Sequence, residues 1–76
     1  MRINAQESTA LREVVKCENG HTVEVWFIRS PEGIIVESQH QPHRFLPKNR
    51  EDESYTSGSC CFRASCDRAW ELRLHV

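Results

Sequence analysis

The sequence predicts a mainly β fold, a small antiparallel sheet of hairpins with a long loop at about 39–59. Three observations carry that expectation. Asn19-Gly20 sits between two strand-like stretches, Thr22 to Ile28 alternates apolar and less apolar residues, and Trp70 to Val76 alternates again.

In "TVEVWFI" the residues Val23, Val25 and Phe27 occupy one face, with Glu24 and Trp26 on the other. The stretch is rich in β-branched and aromatic side chains, which suit a half-buried pleated surface. "SPEG", Ser30 to Gly33, follows with proline second and glycine fourth, a type I turn pattern. "IIVES" returns from it, so residues 22–38 read as a hairpin. Upstream, "TALREVVK" could form a short helix capped by Ser8, but Val14-Val15 beside a glycine turn favours a strand. Residues 1–8 read as loose. In "WELRLHV" the residues Trp70, Leu72, Leu74 and Val76 alternate with Glu71, Arg73 and His75, the pattern of a half-buried last strand.

Seventy-six residues with 21 large apolar side chains form one domain with a thin core. At this size burial and conformational entropy nearly cancel, and folds of this kind usually carry a staple. Four cysteines and four histidines are the residues that could supply it. A net charge of -1 argues against a dedicated nucleic-acid binder. No apolar run is long enough to span a membrane, and the first residues lack a signal-peptide pattern. The expected compartment is the cytoplasm, where clustered thiols mean metal more often than disulfides.

"CENGH", Cys17 to His21, raises the sharpest chemical question. A two-residue Asn-Gly hairpin sets Cys17 opposite Thr22 and points Cys17 and His21 to different faces. A three-residue loop, with Gly20 left-handed, sets Cys17 directly opposite His21 at a Cβ separation of about 5 Å. Patterning favours the second. It puts Val15 and Cys17 on one face with Val23, Val25 and Phe27, whereas the shorter loop turns Glu18, Lys16, Val14 and Arg12 to that face.

The complementary pair lies in "CCFRASC", where Cys61 and Cys66 are separated by four residues, the upper end of structural-zinc spacing. Cys60 is a poorer fit to that spacing. Thiolates and a neutral imidazole are the preferred ligands of structural zinc, and four protein ligands leave no open position for catalysis. Residues 14–28 and 60–76 thereby resemble a zinc ribbon, in which two metal-binding turns are joined by antiparallel strands. The resemblance implies one structural Zn2+ on Cys17, His21, Cys61 and Cys66. It departs from the family's Cys-x-x-Cys turns at both halves, and His40 or His43 could replace His21. Idle buried thiols and disulfides are the competing readings.

No glycine-rich phosphate loop, deaminase signature or Cys-x-x-Cys redox pair is present, so an enzyme is not expected. The expected role is a small protein-binding module, an adaptor, subunit or inhibitor of another protein, a profile that a phage or mobile-element product would also fit. Trp26, His43, Arg44, Phe45, Lys48 and Arg50 are the candidate partner-binding residues. The alternative is a nucleic-acid-binding zinc ribbon using Arg44, Lys48 and Arg50 with Arg63, Arg68 and Arg73. A thiol-redox role for Cys60-Cys61 is the third reading, and it requires a low-pKa thiol.

Overall fold

The computed structural model describes residues 10–40 and 43–74. The expectation that residues 1–8 are loose lies outside them.

Four antiparallel strands form one sheet in the order β1-β2-β3-β4. They are β1 (Ala10–Lys16), β2 (Thr22–Ser30), β3 (Gly33–Ser38) and β4 (Arg44–Phe45), followed by α1 (Glu53–Thr56) and α2 (Cys60–Glu71). The mainly β expectation holds.

The first hairpin has the longer loop. Val15 pairs with Val23 and Lys16 with Thr22. Beyond them the Cys17 N–H donates to the His21 carbonyl at 2.9 Å, and the Gly20 N–H donates to the Cys17 carbonyl at 2.9 Å. Gly20 has φ +86°, the left-handed conformation that glycine adopts without steric cost. Strand period then fixes the faces. Val15, Cys17, Val23, Val25, Phe27, Ile34 and Val36 are buried on the inner face. Between β2 and β3 the turn is Pro31-Glu32, closed by the Ser30–Gly33 pair. Much of the long stretch after β3 consists of turns, but it carries β4 and α1. The Leu46 N–H donates to the Ile34 carbonyl at 2.8 Å and seats β4 against β3.

The expected last strand is a correction. Trp70 and Glu71 end α2, Leu72 caps it, and residues 73–74 form the turn that leaves it; His75 and Val76 lie outside the described residues. Ser59 starts the helix by accepting a bond from the Phe62 N–H at 3.2 Å. Its buried residues Phe62, Ser65, Cys66 and Ala69 stand at i, i+3, i+4 and i+7, one helical face. That twelve-residue pattern outweighs a seven-residue alternation. The alternation coincides with the helix end, where Arg73 turns to φ +56°. There the Arg73 N–H donates to the Trp70 carbonyl at 3.0 Å and the Leu74 N–H to the Ala69 carbonyl at 3.4 Å. These bonds define a Schellman cap, with arginine where glycine is usual. Leu72 and Leu74 reach the core by chain reversal instead of strand alternation.

Helix α2 lies on the inner face of the sheet. Phe62, Cys66 and Ala69 join the strand valines, Phe27 and Ile34 in one core. At the edge strand the Arg68 Nε donates to Glu13 Oε1 at 3.0 Å, and Arg68 also pairs with Glu71. Tyr55 packs on Trp70 with ring centroids 5.3 Å apart, which ties α1 to α2.

Because a left-handed non-glycine residue costs on the order of 1 kcal/mol, Arg73→Gly should raise stability by about that amount. Arg73 is exposed, so its removal sacrifices no buried contact. A rise in the urea midpoint at unchanged slope is the expected reading.

Candidate metal centre

The hairpin turn and the start of α2 meet at one end of the sheet. Cys17 and His21 face each other across the mouth of the turn, and Cys60 and Cys61 occupy the first two positions of the helix. One ligand atom from each of these four residues lies within 4.8 Å of every other. The Cys60 and Cys17 sulfurs are 3.1 Å apart, and the Cys61 and Cys17 sulfurs 3.8 Å. Zinc–sulfur bonds of about 2.3 Å in a tetrahedron give sulfur–sulfur edges of about 3.8 Å, so the thiols already stand near the required spacing.

Three of the four ligands expected from sequence, Cys17, His21 and Cys61, therefore come together. The fourth does not. Cys66 is fully buried in the hydrophobic core, and Cys60 takes its place in the cluster. A helix explains the exchange. Successive residues turn by about 100°, so Cys60 and Cys61 at the first turn reach the hairpin, while Cys66 lies more than a turn further along, under the sheet. The Cys61–Cys66 spacing suits a turn between strands, where neighbours alternate in face. Recognising Ser59 as a helix cap would have pointed to Cys60 and Cys61. The second metal-binding turn of the zinc-ribbon resemblance is thus replaced by a helix N-terminus.

His40 is exposed outside the cluster. His43 pairs with Glu37 at 3.2 Å. Neither replaces His21 in the group.

Electrostatics separate the thiols. The Cys17 thiol is lowered to about 7, chiefly by the hydrogen bond from Cys60, with the Asn19 and His21 backbone adding to the effect. Burial pushes Cys61 up to about 11, helped by its sulfur neighbours, and pushes Cys66 up to about 12. Asn19 Nδ2 donates to the Cys60 sulfur at 3.2 Å, so the turn itself holds a helix thiol. Negative charge on the sulfurs also sits at the positive end of the α2 dipole. Three thiolates and an imidazole around a divalent ion carry one net negative charge, which that end of the helix favours.

The other sequence candidates divide by face. Trp26 and Phe45 lie on the outer face of the sheet, away from α2, with Phe45 paired to Ile35 and Trp26 to Arg12 and Glu37. Arg44 lies over the Phe62 ring at 4.1 Å and donates to the Ser54 carbonyl. Arg50 pairs with Asp67 at 3.1 Å above Trp70. Lys48 is exposed. No family model, curated protein or solved structure matches the chain, so the zinc-ribbon resemblance receives no support beyond the four clustered residues.

Two outcomes follow from this geometry. Cys60→Ser should lose stoichiometric zinc in native mass spectrometry. Cys66→Ser should keep the metal yet lose about 1–3 kcal/mol of stability, because it places a hydroxyl in an apolar core. Proton release sets the pH dependence. Metal displaces the proton of Cys17 near pH 7 and that of Cys61, held to about 11, so apparent zinc affinity should rise from pH 6 to 8 in competition with a chromophoric chelator. In the metal-free fold, Cys17 contributes stability above its ordinary value of 9.0 that is lost as pH falls through about 7.

Proposed function

We propose that the chain is a zinc-stabilised protein-binding module. Its four-residue cluster holds one structural Zn2+, and the outer sheet face docks on another protein. The observation that carries the reading is the convergence of Cys17, His21, Cys60 and Cys61 from two elements about forty residues apart in sequence. Thiolate and imidazole donors suit zinc over oxygen-seeking calcium or magnesium. Four protein ligands fill a tetrahedron, which fits a structural ion and gives no support to catalysis. Clamping the turn to the helix start supplies folding energy to a core of few large side chains, since the unfolded chain has no preformed site.

Docking is supported by the outer sheet face, which no helix covers among the described residues. Across it run the register-paired Ala10, Ile28, Ile35 and Phe45, with Trp26 in the next row between Arg12 and Glu37. Phe45 is 50 % and Val14 56 % exposed, apolar surface that the fold itself leaves open. A large aromatic flanked by charges of both signs is the composition of a protein-binding anchor. The nucleic-acid alternative draws less support. Arg44, Arg50, Arg63 and Arg68 all bond within the chain, and Arg50 and Arg68 do so with carboxylates.

Metal-depleted preparation followed by zinc titration tests the first half: one equivalent should bind, and a strong chelator should unfold the chain. For the second half, Trp26→Glu should abolish co-purification of a protein partner while Lys48→Glu preserves it, with thermal stability of both near wild type. Loss in Lys48→Glu alone, or capture of nucleic acid that falls steeply with salt, would move the interface to the basic loop.

A further inference from the structure

We propose that Cys17 and Cys60 form a dithiol that a peroxide closes to one specific disulfide, releasing the metal. The inference deepens the metal-centre reading, because both sulfurs belong to that cluster.

Distance selects the pair. The Cys17 and Cys60 sulfurs stand 3.1 Å apart, and a disulfide of about 2.05 Å is reached by a displacement of about 1 Å shared between two side chains. Cys61 is further from Cys17, at 3.8 Å. A Cys60–Cys61 link would close a ring across one planar trans peptide at the helix start, which strains that bond. Cys66 is fully buried and beyond the reach of a dissolved oxidant. Access completes the selection. Cys60 is half-buried, whereas Cys17 is buried. The half-buried thiol of Cys60 meets the peroxide and the buried Cys17 resolves it. Asn19, donating to the Cys60 sulfur, holds it on the Cys17 side.

In the first step Cys60 releases its proton to solvent, and the thiolate so formed attacks one peroxide oxygen. The O–O bond breaks, Cys60 becomes a sulfenic acid, and hydroxide leaves. Next the Cys17 thiolate attacks the Cys60 sulfur. The S–S bond forms, the S–O bond breaks, and a second hydroxide leaves. Two thiolates lose two electrons in total, and hydrogen peroxide becomes two waters with two protons from solvent. Were zinc held by the cluster, the link would take Cys17 and Cys60, two of its four ligands, out of the set. A dithiol reductant reverses the change.

The full chain, metal-free and zinc-loaded, is treated with one equivalent of hydrogen peroxide and followed by intact mass, peptide mapping and a zinc-sensitive dye. The expected product has lost two hydrogens, maps to Cys17–Cys60, and in the loaded sample frees one zinc. Cys61→Ser and Cys66→Ser should form the same link, whereas Cys60→Ser should slow loss of the Cys17 thiol by at least about tenfold. A Cys17–Cys61 link, a sulfinic acid at Cys60 without a link, or only intermolecular disulfides would overturn the proposal, and mapping of the wild type decides this even if a variant fails to fold. Zinc bound but no Cys17–Cys60 link defeats this inference alone. The link formed in a chain that binds no metal defeats the metal reading alone.

Discussion

Gly20 at φ +86° lets the first hairpin turn through three residues instead of two, and the register of the sheet depends on that choice. With the loop at this length, Val15 meets Val23 and Cys17 meets His21. One residue fewer would turn Lys16 and Val14 to the face that now carries Val23, Val25 and Phe27. The same turn therefore builds the core and sets Cys17 and His21, two candidate metal ligands, side by side. Its remaining polar residue, Asn19, reaches across to a helix sulfur. Register, core and site are consequences of one backbone conformation.

Helix α2 makes the second decision, by sorting its three cysteines along its length. Cys60 and Cys61 fall in the first turn behind the Ser59 cap, where the helix dipole favours negative charge. Cys66 lies beneath the sheet and behaves as a small apolar residue whose thiol burial keeps protonated. Chemically identical side chains a few residues apart thus acquire opposite roles. Ser65, the one buried polar side chain among the described residues, avoids a desolvation cost by donating to the Cys61 carbonyl at 2.9 Å.

Charge inside the fold is mostly used for alignment. Arg68 ties the helix to the edge strand through Glu13, Arg50 spans Asp67 and Trp70, and Arg44 lies on the Phe62 ring. These exposed or half-exposed pairs add little stability each, but they fix how α2 sits across the strands. On the outer face Trp26 and Phe45 stand among residues the core does not need. The sheet is two-sided: one face closes the core against α2 and ends in the Cys-His cluster, and among the described residues no helix covers the other.

The sequence by itself determined the elements whose signals are local. The alternation of Val23, Val25 and Phe27, the Pro31-Glu32 turn and the left-handed glycine of the first loop each depend on a few neighbouring residues, and all were legible. So was the facing of Cys17 and His21, because a wrong register would have buried charge. The end of the chain misled because Trp70, Leu72 and Leu74 satisfy two geometries, an alternating strand or the last helical turn with its reversal. Only the tertiary structure chose between them, by giving Phe62, Cys66 and Ala69 a sheet to cover. The ligand exchange from Cys66 to Cys60 followed from that choice. Ligand spacing along a chain becomes geometry only when the backbone between the ligands is known.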